Sequence, residues 1–492
     1  MSRPSLLDQW HRVRASDRTA VRDAQGAHSF ASIEARAAAV STALRGGRAS
    51  LAGERVALLC APGASFVASF FGVLRAGGCV VVLSPQHPHA ESAYFLSDAH
   101  VRVVIATPDH AAQAASLGAR VLDPTALDPS APQAPEAAPA PDALQLYTSG
   151  TTARPKGVVL TLENLGVQAS LLHEAWAWRP DDVLLHVLPL HHMHGLAIAM
   201  LPALTAGACA WMHARFDAKT AWEDMASATV FMAVPTIYAK LFSAWDDADE
   251  PTRARWAKNA SALRLATSGS AALPVGLAER WRAVAGDIPL ERFGMTEIGV
   301  GLGNPLAGPR KPGSVGRPLL TVEVCVVDHG KDATTGELWI RGPSVFVRYF
   351  EREDATRSAF EDGWFKTGDT VTVDSDGTYR VLGRTSVDIL KSGGYKLSAL
   401  EIEEALREHP SVGEVAVVGL PDETWGDRVV ACVVARGAAP SEAELRAFAR
   451  ERLAAYKVPK EFVLLEELPR NAVGKVVKPE LVRRLTSPRA PG

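Results

Sequence analysis

Short apolar runs alternate with Ala-rich stretches through the first part of the chain. Arg55-Val-Ala-Leu-Leu-Cys60 reads as a buried strand, Ser65 to Ala76 as a helix, and Cys79-Val-Val-Val-Leu83 as the next strand. Val101-Arg-Val-Val-Ile-Ala106 repeats the theme after another helix. Continuous apolar strands separated by helices predict βαβ units, and so a largely parallel sheet with both faces covered. Asp123 to Ala143 breaks the pattern, with prolines at 124, 129, 132, 135, 139 and 141. Proline lacks the N–H a helix or central strand needs, so this stretch is expected to be a surface connection. The α/β alternation resumes at Leu144-Gln-Leu-Tyr147. Residues 310–382 instead show short strands punctuated by Gly, such as Thr321 to Val327 and Glu337 to Arg341. Beyond Gly383 an α+β pattern returns, with a helix over Leu400–Glu408 and strands at Glu414–Val418 and Arg428–Val434.

The predicted fold is therefore α/β. A large N-terminal domain (1–383) of layered parallel sheets with helices carries a small β-subdomain at about 310–382. A hinge at 384–388 leads to a smaller α+β C-terminal domain (389–492). The length of 492 residues suits two or more domains. With 52 Lys+Arg against 55 Asp+Glu, the charge balance argues against a nucleic-acid partner. No apolar run is long enough to span a membrane. Five scattered cysteines without a CxxC pair suggest neither a zinc site nor a disulfide framework. Arg3, Arg12, Arg14 and Arg18 are interrupted by Asp8 and Asp17, which argues against a transit peptide. Cytoplasm is the expected location.

Candidate chemistry begins at Tyr147-Thr-Ser-Gly-Thr-Thr-Ala-Arg-Pro-Lys-Gly157. Backbone N–H groups, hydroxyls and one lysine are what a polyphosphate needs. The same composition also serves a plain turn, and no Gly-Lys-Ser/Thr makes it a Walker A loop. The stretch resembles the phosphate-binding signature of the adenylate-forming superfamily, which comprises acyl- and aryl-CoA synthetases, carrier-protein adenylation domains and luciferases. Ala153 stands where that family usually has Gly. The family's other stations follow in order: His191-His-Met-His-Gly195, Ser268-Gly-Ser-Ala-Ala-Leu273, Glu291-Arg-Phe-Gly-Met-Thr-Glu297, Trp364-Phe-Lys-Thr-Gly-Asp369, Gly383-Arg384, Lys391-Ser-Gly-Gly-Tyr395 and Pro469-Arg-Asn-Ala-Val-Gly-Lys475. The resemblance spans nearly the whole chain.

The resemblance implies ATP, Mg²⁺ and coenzyme A as co-substrates and cofactors, with a small carboxylic acid as partner. Thr148, Ser149, Gly150, Thr151, Thr152 and Lys156 would surround the phosphates, while Gly269, Ser270 and Ala271 face the adenine. Glu291, Phe293, Gly294, Met295 and Thr296 complete the nucleotide site, and Phe293 keeps a stacking face where relatives carry Tyr. Glu297 is the implied magnesium ligand, and Thr296 is placed with it among the catalytic residues. Asp369 and Arg384 would hold the ribose. Lys475 would bridge the carboxylate to the α-phosphate in the first half-reaction. A domain rotation would then replace it with the CoA-side loop of Lys391, Gly393, Gly394 and Tyr395. The hinge falls within 385–388, with Ser386 where many relatives have a charge and Asp388 as the substitute. His186, His191, His192 and His194 match no zinc spacing; by family position His194 and Gly195 wall the acyl pocket, with His194 counted among the catalytic residues.

Arg292 occupies the position that lines the end of the acyl pocket in this superfamily. An unpaired buried guanidinium is costly, and a second substrate carboxylate would satisfy it in bidentate geometry. That points to a short dicarboxylate, malonate or methylmalonate. Gly294 to Gly299, Pro312 to Gly316 and Gly383 to Lys391 are similar to the malonyl-CoA synthetase branch. The alternatives are a protein carboxylate paired with Arg292 beside a monocarboxylate substrate, a carrier-protein-loading enzyme, an ATP sensor without catalysis, and a luciferase-like oxidation.

Overall fold

The computed structural model describes residues 4–148, 154–328, 330–393, 395–470 and 476–486. The chain forms two compact units. One holds residues 1–323 and 340–365, the other 324–339 and 366–492.

The first unit is built on two sheets. The nine-stranded sheet runs Arg317–Pro318, Gly299–Gly303, Leu290–Met295, Leu265–Ser268, Val230–Ala233, Val183–His186, Cys209–Met212, Thr19–Asp23, Gly26–Ser29. Its middle strands are parallel and its two ends antiparallel. The seven-stranded sheet runs Arg348–Tyr349, Lys156–Thr161, Asp142–Thr148, Cys79–Val82, Arg55–Leu59, Val103–Ala106, Arg120–Leu122. Central parallel strands such as Cys79–Val82 and Val103–Ala106 are apolar along their whole length because helices such as Ala64–Arg75 cover the sheet. Antiparallel strands sit where the chain reverses at the functional loops: Asp142–Thr148 turns back into Lys156–Thr161, and Leu290–Met295 into Gly299–Gly303.

Residues 123–141 carry neither helix nor strand, as their prolines require. This connection is pinned rather than loose. Arg45 donates to the Pro135 carbonyl at 2.5 Å, and Glu136 accepts from Arg14 at 2.9 Å.

In the second unit, Tyr395–Ser398, Ile389–Ser392, Gly426–Ala435, Val412–Asp422 and Glu461–Leu464 form one sheet. Helices Ala399–Arg407 and Glu442–Arg452 pack on one face through Ile402, Leu406, Leu445 and Ala449. Helix Lys478–Thr486 covers the other through Leu481. The 323–384 stretch contributes a six-stranded sheet. Among the described residues, no helix is long and apolar enough to cross a membrane, and all five cysteines are free.

Candidate active site

The turn between Leu290–Met295 and Gly299–Gly303 carries the densest chemistry. It closes tightly because two glycines permit it. A Cβ on Gly294 would lie 2.1 Å from the Gly299 carbonyl oxygen, and Gly299 itself has φ +71°. Thr296 and Glu297 lie within the turn. The buried Glu297 carboxylate accepts from the Tyr349 hydroxyl at 3.0 Å. Phe293 and Met295 are half-buried, leaving part of the phenyl face accessible. Glu291 points the other way, accepting from the Gly313 N–H at 2.9 Å, so it braces the 304–316 loop.

Arg292 is 3% exposed, and it packs against the backbone of Gly269. A Cβ there would sit 2.4 Å from the guanidinium carbon, so a side chain at 269 would displace the Arg292 head group. Its Nε and Nη2 have no hydrogen-bond partner among the described residues. Burial alone, with no carboxylate to offset it, pulls its pKa down to about 9.

Beside it lies His194, buried at the start of a π-helical segment, His194–Met200. Such i→i+5 turns are rare and recur at functional sites. The segment enters closely over Leu188–Pro189, since a Cβ on Gly195 would meet the Pro189 carbonyl oxygen at 2.3 Å. His194 Nδ1 lies 3.3 Å from Ser270 Oγ, and Nε2 has no partner among the described residues. Desolvation, reinforced by the Arg292 charge, holds His194 neutral, with its pKa well below the usual histidine value. Burial likewise pushes His191 down to about 2; with His87 and His192 it forms a neutral imidazole cluster, ring centroids 5.2 and 4.1 Å apart. Ser270 has φ +70°, a strained conformation for a residue with a Cβ that points to a functional constraint. Ala271 is exposed next to it. Ser268 opens the adenine-side motif but was given no role from the sequence; it is buried, and its hydroxyl has no partner among the described residues.

On the phosphate side Thr148 pairs with Lys156 across the strand reversal. The Lys156 ammonium lies 4.9 Å from the Tyr349 ring centroid. Ser149, Gly150, Thr151 and Thr152 lie outside the described residues, as do Gly394 and Lys475.

The second unit brings together Asp369 and Arg384, register partners on neighbouring strands. Arg384 Nε lies 3.3 Å from the Asp369 carboxylate, and its Nη1 donates to the Thr367 carbonyl at 2.8 Å. The Arg384 N–H donates to Asp388 at 3.0 Å. Asp388 in turn pairs with Lys478, which also contacts Glu403 at 2.7 Å. Lys391 is exposed, with its N–H donating to Asp427 at 2.7 Å. Gly393 has φ +57° and donates its N–H to the Trp425 carbonyl at 2.9 Å. Around that turn lies an exposed aromatic and basic surface. Tyr395 stacks on Tyr456 at 4.5 Å, and Lys460 sits 4.1 Å from the Trp425 ring centroid. Trp425, Tyr456 and Lys460 belong to none of the sequence motifs. Their only signal is being large or basic and solvent-facing.

The sequence matches the family described as AMP-binding enzyme over residues 7–350, and its C-terminal domain over 401–475. It is 43% identical to malonate–CoA ligase ACSF3, mitochondrial, of Bos taurus, covering 95% of this chain and 88% of that protein. With malonate–CoA ligase of Arabidopsis thaliana the identity is 38%, covering 89% and 79%. Among solved structures, ATP-bound MatB from Rhodopseudomonas palustris superposes with a TM-score of 0.86 at 33% identity, covering 98% of this chain and 99% of that one.

Proposed function

The chain belongs to the AMP-binding enzyme family, and from that footing we propose that it is an ATP-dependent ligase for malonate. It would join the acid to AMP as an acyl-adenylate, releasing pyrophosphate, and then pass the acyl group to coenzyme A, releasing AMP. The relatives named for malonate support this substrate. The observation that carries it is Arg292, a buried guanidinium with two donors and no paired carboxylate among the described residues.

A carboxylate two bonds beyond the reacting one would accept from Nε and Nη2 in the bidentate geometry that suits guanidinium. Its charge would raise the Arg292 pKa back toward its ordinary value, so the site is built to be completed by substrate. His194 is neutral. In the tautomer whose Nδ1 accepts from the Ser270 hydroxyl, Nε2 carries the proton and would be a further donor to the acid. The cost of an unmade hydrogen bond at each buried donor disfavours acetate or butyrate in the same pocket.

The first half-reaction brings a carboxylate oxygen to the α-phosphorus, where negative charge accumulates. Cations and donors placed in advance lower that barrier. Lys156 and Thr148 supply them at the phosphates, Asp369 and Arg384 fix the ribose, and Lys475 bridges the two reacting anions. Among the described residues no three His, Cys, Asp or Glu side chains gather to cage a metal. A single buried carboxylate such as Glu297 fits magnesium, which favours one or two protein oxygens plus phosphate. Magnesium would neutralise phosphate charge there, held by Glu297 with Thr296 beside it. For the second half-reaction we assign the thiol co-substrate to the Gly393 turn and its neighbours Trp425, Tyr456 and Lys460. The hinge is placed within 384–388. Cytoplasm is the proposed location, which subcellular fractionation would test.

ATP–pyrophosphate exchange with a panel of acids tests this reading. Exchange driven by malonate at least tenfold better than by acetate or butyrate is the expected result. Equal exchange with the monocarboxylates would contradict the pocket assignment.

A further inference from the structure

One short segment is bonded to both of the elements that face the phosphates. Arg348–Tyr349 pairs antiparallel with Lys156–Thr161, placing Tyr349 opposite Val158. The Phe350 N–H donates to the Gly157 carbonyl at 2.8 Å, and the Phe346 N–H donates to the carbonyl of Glu297 at 2.7 Å. The Tyr349 side chain makes the same connection. Its hydroxyl donates to Glu297 Oε1 at 3.0 Å, and Lys156 Nζ lies 4.9 Å from its ring centroid. The ring is itself held, buried against Phe346 with centroids 4.8 Å apart, and the Tyr349 N–H donates to Thr356 Oγ1 at 3.0 Å.

Each contact has a defined physical effect. A hydroxyl donating to a carboxylate favours its ionised form and fixes its orientation. An aromatic face attracts an ammonium, more strongly where water is excluded. We propose that Tyr349 is a positioning residue for the first half-reaction, holding the Glu297 carboxylate aimed while its ring face keeps Lys156 in the same frame. The group assigned to magnesium and the group assigned to phosphate are thereby registered by one side chain. The inference rests on the roles given above to Glu297 and Lys156.

Tyr349→Phe in the full-length protein removes the donor and keeps the ring. Two readouts separate positioning from packing. One is calorimetric binding of a non-hydrolysable ATP analogue over a titration of Mg²⁺, and of Mn²⁺ as a second probe. The other is the pair of KM values, for malonate and for ATP, in ATP–pyrophosphate exchange. Loss of a second-layer partner to a metal ligand typically costs on the order of tenfold in metal affinity. The half-saturating Mg²⁺ concentration is therefore expected to rise about tenfold. The KM for malonate should stay unchanged. Tyr349→Leu should add a rise in the KM for ATP, which Tyr349→Phe should not show. A Tyr349→Phe variant with wild-type magnesium dependence would overturn the proposal. Glu297→Gln in the same titration distinguishes the two levels. If it too leaves the magnesium requirement untouched, the role given to Glu297 is what fails. If only Glu297→Gln raises it, Tyr349 alone loses its assignment.

Discussion

At Arg292 the protein holds a buried charge that no carboxylate among the described residues balances. Replacing a buried charge by an apolar side chain of similar volume is often neutral or stabilising by about 1–4 kcal/mol. Arg292→Met is therefore expected to raise the melting temperature of the ligand-free protein while abolishing use of malonate. Calorimetry with and without malonate checks it: the wild type should gain stability from the ligand and the variant should not. A lowered melting temperature together with retained malonate use would refute the role. The pKa near 9 adds a pH signature. Free enzyme keeps the cation below that value and loses it above, so the KM for malonate should climb as pH passes about 9. Arg292 was legible in the sequence because a motif fixed its position. Ser268 was not, since burial without a partner is a property of the packed molecule.

Elements, by contrast, were mostly legible, because their signals are local. The predicted helix Ser65–Ala76 is Ala64–Arg75, and the strands predicted at 414–418 and 428–434 are longer, at Val412–Asp422 and Gly426–Ala435. Apolar runs mark the centre of a strand better than its ends, which extend wherever a neighbour offers backbone partners. The π-helical segment at His194 had no signal, because an i→i+5 turn has no periodic hydrophobic signature. The Tyr349 link was equally hidden, joining residues far apart in sequence through a strand of two residues. The Glu297 turn also depends on tight packing against a neighbouring helix. A Cβ on Gly299 would lie 1.9 Å from Gln168 Oε1, at a φ that disfavours side chains. Gly299→Ala should cost about 1–3 kcal/mol and lower exchange activity more than the melting temperature alone explains. Titration of both quantities in one preparation tests this, and unchanged exchange would show that the turn tolerates displacement.

For the whole molecule, the second unit has its own electrostatic anchor. Lys478 is 8% exposed and lies between Asp388 and Glu403. Glu403 is also held by the Val417 N–H at 2.8 Å. Removing the cation leaves Asp388 with the Arg384 N–H and Glu403 with Arg407 at 2.9 Å as remaining partners, so Lys478→Met should destabilise this unit by about 1–3 kcal/mol. Denaturant unfolding would show it, and a change below about 1 kcal/mol would mean that the carboxylates find water instead. Lys475, three positions earlier in the sequence, is given a different task. Lys475→Ala should abolish adenylate formation and spare thioester formation from preformed malonyl-adenylate, and equal loss of both would contradict separate configurations for the two steps. The succession of motifs made the reaction class readable over nearly the full chain. The CoA-side surface of Trp425, Tyr456 and Lys460 was not, because exposed aromatics acquire meaning only when folding gathers them.

The central claim is that Arg292 selects a second carboxylate, and competition tests it most directly. Wild type and Arg292→Met would each receive ATP, Mg²⁺, CoA and an equimolar mixture of malonate, methylmalonate, acetate, butyrate and octanoate, with the thioesters identified by mass. The account requires malonyl- or methylmalonyl-CoA to dominate with the wild type and to vanish with the variant. A wild type that makes mainly acetyl-, butyryl- or octanoyl-CoA, or a variant that makes malonyl-CoA as well as the wild type does, would contradict it.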